Sequence, residues 1–208
     1  YWAWWLVHGG ADRIFSMIDF KSGGPLDAVA TFRANVFGTL VFIGALRQVF
    51  WAFVLCRTAF PIRKGAIPVA VFNAVLDTIN AFFFAWSNYE FGPLQFLGIG
   101  LFLLGSFLET FSEVQRHVFK LDNRNQGKPF TSGLFSLAVN INYFGYALWR
   151  LGMVLVARAY PALAIVAFVV YDFLYVAGPS LAEHNRAKYG GAYDAYAKRT
   201  PKLIPFVW

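Results

Sequence analysis

Residues 109–150 read ETFSEVQRHVFKLDNRNQGKPFTSGLFSLAVNINYFGYALWR, and the reading of this stretch decides the rest of the chain. It leaves an apolar segment, crosses a polar and basic loop, and enters a second apolar segment. Taken as a helix from Gly100 to about Lys120, it carries Glu109, Glu113, Arg116 and Lys120 at i, i+4, i+7 and i+11, which is one face. Ionisable groups within an apolar helix are expensive unless they meet partners or a ligand. The loop adds Arg124 and Lys128. The next helix opens with Asn140 and Asn142, followed by Tyr143, Tyr146 and Arg150, and Asn142, Tyr146 and Arg150 again share a face. Two helix ends and a basic loop thus converge on one large, polar, anionic ligand. A simpler reading makes the bases topology signals and headgroup contacts. It leaves Glu109, Asn140, Asn142 and Arg150 unexplained, because these sit where solvent does not reach.

The composition sets the class. The chain is 58% hydrophobic and 20% aromatic, and only 14% of it is charged, against about 25% in soluble domains. Several long apolar runs make this an all-α, polytopic membrane bundle, with about five to six transmembrane helices and a cytosolic amphipathic tail. A β-barrel would alternate in short segments instead. The net charge of +7 is gathered in loops, so it orients the chain and attracts lipid headgroups. Nucleic-acid binding would need a basic folded face, and no such domain is visible. The single Cys56 excludes an intramolecular disulfide and reads as a spectator thiol. No residue is assigned to a metal.

Taken in order, the chain starts at Tyr1 with YWAWWLV, too short to span a bilayer and unlike a signal peptide. Helices are therefore expected upstream. Residues 9–33 read as a mixed-charge loop in which Asp12, Asp19 and Asp27 balance Arg13, Lys21 and Arg33. Spans are expected at about 34–56, 67–86, 94–111, 133–153 and 159–177. Arg47 lies inside the first. Asn73, Asp77 and Asn80 form a polar stripe on the second, which must face protein or water. Three basic segments follow the first, third and fifth spans: RTAFPIRK with Arg57, Arg63 and Lys64; the Arg116–Lys128 region; and the tail with Arg186, Lys188, Lys198, Arg199 and Lys202. With five spans all three share one side, which the positive-inside rule makes cytosolic. In a eukaryotic cell that membrane would be the endoplasmic reticulum. In the tail, Tyr189, Tyr193 and Tyr196 share a face if the helix survives Gly190 and Gly191.

These residues carry a resemblance. SEVQRHVFK, then NQGKPFTSGLF, then NINYFGYALWR, followed by E-H-x-R-x-K-Y-G-G-x-Y-x-x-Y-x-x-R-T-P-K-L-I-P-F, resemble the carboxyl-terminal half of the steroid 5-alpha-reductase family. The likeness is closest to its DUF1295 branch. Sterol reductases and isoprenylcysteine carboxyl methyltransferases are more distant relatives. The resemblance covers about 98–208 and implies that this part binds NADPH from the cytosolic side, while residues 1–97 form the substrate side. It implies cofactor-binding roles for Glu109, Glu113, Arg116, Lys120, Lys128, Asn142, His184, Arg186, Tyr193 and Tyr196. Relatives often read R-H-P-N-Y where this chain has Val139-Asn140-Ile141-Asn142-Tyr143. Steroid 5-alpha-reductases also lack that triplet, and they place a Glu where this chain has Tyr146.

The resemblance implies an NADPH-dependent reductase of a conjugated C=C bond in a lipophilic steroid, sterol or enoyl-lipid substrate. Tyr143 and Tyr146 are the candidate proton donors. A second expectation is an S-adenosylmethionine-dependent methyltransferase of the isoprenylcysteine type. The missing R-H-P triplet and the many bases favour the first. A third is a membrane protein that keeps the fold without catalysis.

Overall fold

Within a bilayer an apolar run can satisfy its backbone groups internally only as a helix or a closed barrel. The computed structural model describes residues 28–56, 67–87 and 89–207, and every regular element among them is helical. The helices are α1 (Ala28–Phe50), α2 (Ile67–Trp86), α3 (Pro93–Leu121), α4 (Ile141–Ala157), α5 (Leu163–Tyr175), α6 (Ala177–Tyr189) and α7 (Gly191–Arg199). Among the described residues, four stretches are long and apolar enough to cross a membrane: Ala28–Leu55, Val69–Trp86, Pro93–Leu121 and Tyr160–Tyr189.

The helical membrane bundle expected from composition is thus what forms, with differences in its limits. The first span opens at Ala28, so the end of the expected loop is already helical. The rest of that loop and the basic segment with Arg57, Arg63 and Lys64 lie outside the described residues. The expected fourth span starts late. Residues 133–136 form a 3-10 turn, and the amides of Val139 and Asn140 bond to the carbonyls of Pro201 and Lys202 at 2.8 and 3.0 Å. That leaves α4 with 17 residues, slightly short of the ~20 of an average span. The tail helix breaks at Gly190, whose φ of 57° is open to glycine and strained elsewhere. Tyr189 is thereby parted from Tyr193 and Tyr196.

The described chain divides into two compact units. The first runs to Phe102 and adds Leu151–Leu163. Here Arg33 is buried, and its guanidinium donates to the carbonyls of Phe84 and Ser87 at 3.3 and 2.5 Å. A cation thus meets the negative, unsatisfied end of α2. The same group lies 3.9 Å from the centre of the Tyr89 ring, which Arg158 also approaches at 4.6 Å. The Tyr89 hydroxyl donates to the Val156 carbonyl, and burial pushes its phenol up to about 12, against the pull of Arg33. The polar stripe on α2 faces protein as expected. Asn73 accepts from Gln48 of α1 at 3.1 Å, and Asn73 and Asn80 are buried.

The second unit comprises Leu103–Arg150 and Ala164–Trp208. Leu108, Phe135, Ala138 and Ile141 form its core, with Phe130, Leu134, Leu137, Phe144 and Leu148 packed against them. Within this unit α3 and α4 touch backbone to backbone. A Cβ on Gly145 would fall 2.5 Å from the Glu109 nitrogen and 2.7 Å from the Gly105 carbonyl. Small residues permit such an approach between membrane helices.

Gly145→Ala should therefore destabilise the chain by about 1–3 kcal/mol through overpacking. Gly100→Ala should leave stability unchanged or raise it by about 0.5–1 kcal/mol, because a Cβ there meets nothing within 4 Å. Thermal unfolding in detergent checks this, and equal effects of the two changes would contradict the close packing.

Candidate functional site

The close approach of α3 and α4 sets two carboxylates against the opposing helix. Glu109 Oε2 accepts the indole N–H of Trp149 at 2.6 Å. One turn later, Glu113 is 5% exposed. Its Oε1 accepts from Asn142 Nδ2 at 2.9 Å, and its Oε2 accepts from Arg116 at 2.5 Å. A buried carboxylate persists only with such partners, and bonds to a charged group are roughly twice as strong as neutral ones. The structure thus brings together Glu113, Arg116 and Asn142. Arg116 is partly exposed and lies 5.6 Å from the Phe135 ring centre.

Aromatic side chains wall this group. Tyr143 stacks on Phe173 of α5 at 4.4 Å and lies within electrostatic reach of Glu113, Arg116 and Asp172. Tyr146 meets the same Phe173 edge-on at 5.7 Å, and its hydroxyl accepts from Arg150 Nε at 3.2 Å. Arg150 is fully buried, with its guanidinium 4.0 Å from the Trp149 ring centre.

At the outer end of α3, Lys120 donates to the Lys128 carbonyl and sits 4.7 Å from the Tyr189 ring centre. The Lys128 side chain is exposed. Arg124 closes on Asp122 at 2.7 Å and holds that carboxyl below the usual range.

The tail is placed differently. Tyr193 and Tyr196 are buried. The Tyr196 hydroxyl donates to the Phe135 carbonyl at 2.6 Å, and burial raises its phenol well above the ordinary value, so the proton stays on oxygen. Burial also raises Tyr193, whose phenol is hydrogen-bonded to Asn185. Arg186 is exposed and paired with Asp194 at 2.7 Å, and His184 is exposed on α6. Among the described residues no hydrogen bond or ion pair ties His184 or Arg186 to the Glu113 group. The tail nevertheless lies against the central loop, so loop and tail share one side of any membrane the helices cross.

Four residues of this region escape a reading by charge alone: Trp149, Phe173, Gln115 and His117. Gln115 accepts the Leu134 amide at 2.9 Å and so fixes the loop turn. His117 follows Glu113 by one turn, and its Nδ1 is buried without a hydrogen-bond partner among the described residues. Its place at i+4 from Glu113, on the acidic and basic stripe, was the available signal.

The fold and this site define a multi-pass helical membrane protein with a buried carboxylate group under aromatic walls, beside a basic loop. Residues 65–200 match the family described as a protein of unknown function, DUF1295, and the chain belongs to that family. It is similar to a probable O-methyltransferase, ustE, of Ustilaginoidea virens, with 35% identity over 140 residues, covering 61% of this chain and 49% of that protein. It is also similar to a protein-S-isoprenylcysteine O-methyltransferase of Schizosaccharomyces pombe, with 21% identity over 124 residues, 60% of this chain and 52% of that protein. The chain spans about half the length of these relatives.

Tyr196→Phe removes a buried hydrogen bond and should cost about 0.5–1.5 kcal/mol of stability. Arg186→Ala, at an exposed ion pair, should change stability little. Thermal unfolding compares the two. If Tyr196→Phe weakened ligand binding without lowering stability, the hydroxyl would be serving a ligand rather than the core.

Proposed function

We propose that the chain is the membrane-embedded part of an enzyme that transfers a methyl group to an oxygen of a lipophilic acceptor, with S-adenosylmethionine as the donor. The observation that carries this reading is the 35% identity to a probable O-methyltransferase over 61% of the chain. The likeness to an isoprenylcysteine O-methyltransferase supports it.

The residues fit such a donor. A sulfonium is a cation, and it is met best by carboxylates and aromatic faces. Glu113 lies within electrostatic reach of Tyr143, whose ring stacks on Phe173, and Arg116 and Lys120 follow it toward the loop, suited to the donor's own carboxylate. The unpartnered Nδ1 of His117 suits a ribose hydroxyl. Bound S-adenosylmethionine supplies a methyl group on cationic sulfur. An ionised acceptor oxygen would form the new C–O bond as the C–S bond breaks, the electron pair staying on sulfur so that the donor leaves as a neutral thioether. The chain's task is to orient the partners and exclude water: Asn142 and Arg116 fix Glu113, and Glu109 fixes Trp149. We place the loop and tail on the cytosolic side, following their bases.

A second reading keeps the reductase expectation. Lys120 and the exposed Lys128 would meet NADPH phosphates, and Tyr143 or Tyr146 would give up a proton. Against it, Arg186 already has a carboxylate partner.

Tryptophan-fluorescence titration of the purified chain with S-adenosylmethionine, NADPH and NADH separates the two. We expect saturable quenching by S-adenosylmethionine, weakened roughly tenfold by Asn142→Ala or Arg116→Ala, since ~1.4 kcal/mol is one decade. Saturation by NADPH alone, lost selectively in Lys120→Ala, would overturn the methyltransferase reading in favour of the reductase.

A further inference from the structure

Arg158 stands in the first unit, between α4, which ends at Ala157, and the apolar stretch that starts at Tyr160. Helix α4 closes there in a tight turn. The amides of Arg158 and Ala159 bond back to the carbonyls of Leu155 and Val154 at 3.3 and 3.0 Å. Such a turn needs one residue at positive φ, which glycine adopts most readily. Here that residue is Arg158, with a φ of 54°. A side chain kept at a strained backbone position points to a use for it.

The side chain is exposed but placed. Its guanidinium lies 4.6 Å from the centre of the Tyr89 ring, and the Arg33 guanidinium lies 3.9 Å from the same centre. Two like charges thus share one ring. Arg33 directs donors to the carbonyls of Phe84 and Ser87. Among the described residues no hydrogen bond or ion pair joins Arg158 to a carboxylate, not even to Glu90, which follows Tyr89 in sequence. Tyr160 is within electrostatic reach of Tyr89, and both Tyr160 and Trp86, the last residue of α2, are exposed. Tyrosine and tryptophan at the ends of apolar spans mark the level of the lipid headgroups. An exposed guanidinium at that level, with donors to spare, complements a phosphate, which its planar fork binds through two hydrogen bonds. The paired positive charges disfavour the cationic head of a zwitterionic lipid. We propose that Arg158, with Tyr160 two residues on, holds the phosphate of an anionic phospholipid at the edge of the first unit. This does not depend on the methyl-transfer reading.

The test is thermal unfolding of the purified full chain in a non-ionic detergent, with added phosphatidylglycerol, phosphatidylcholine or inorganic phosphate. Phosphatidylglycerol should raise the unfolding midpoint of the wild-type chain saturably, and the other two should not. Arg158→Gly suits the backbone of the turn, so the chain should still fold; it should need roughly tenfold more phosphatidylglycerol, or fail to respond. Arg158→Asn, which also tolerates positive φ, is the second variant should glycine loosen the turn, and the same loss is expected. Lys198→Gln removes one exposed charge from α7 and should leave the response intact. An undiminished response in both Arg158 variants, an equal loss in Lys198→Gln, or an equal effect of phosphatidylcholine or inorganic phosphate on the wild-type chain would overturn the proposal, as would no response of the wild-type chain.

Discussion

The contact between α3 and α4 at Gly105 and Gly145 is the constraint on which the second unit rests. No side chain separates the two backbones there. Only at that separation can short, half-buried bonds run from Glu109 to Trp149 and from Glu113 to Asn142. Each carboxylate is held in apolar surroundings by donors from the facing helix, so packing and polar satisfaction are one problem with one solution. A bulkier pair would part the helices and leave both acids without their cross-helix partners.

The central loop and the tail complete what this contact begins. Gln115 fixes the turn after the loop, Tyr196 fixes the turn from below, and the amides of Val139 and Asn140 dock on Pro201 and Lys202. Several bases that look free in the sequence are taken up locally: Arg116 by Glu113, Arg124 by Asp122, Arg186 by Asp194. This lowers the positive field available to a phosphate-rich ligand. It leaves a braced carboxylate–guanidinium pair beside aromatic rings as the distinctive chemistry.

Much of this was legible in the residues. The helical membrane class follows from composition, and the stripe from Glu109 to Lys120 follows from period alone. The pairing of Asn142 with this face could be expected, because a polar group at the start of a buried helix needs a partner. What periodicity could not show is where backbone bonds outside helices fall. The residues before Ile141 read as the start of a span, yet the tail captures them. The tyrosines of the tail read as one face, but Gly190 ends the helix and Tyr196 turns inward to a carbonyl. Arg33 read as a loop charge, although it caps α2 from 51 residues away in sequence. His117 stood in plain view on the stripe and carried no charge signal. The order of the two functional expectations rested on the missing triplet and the count of bases, and the named relatives favour the second.

The most direct measurement is the indole N–H resonance of Trp149 in 15N-tryptophan-labelled protein in micelles, assigned with Trp149→Phe. If Glu109 and Trp149 are bonded across the glycine contact, this resonance exchanges slowly with solvent. It then moves upfield and exchanges faster in Glu109→Gln, where a charged acceptor becomes neutral. A Trp149 indole resonance indifferent to Glu109→Gln would contradict the account.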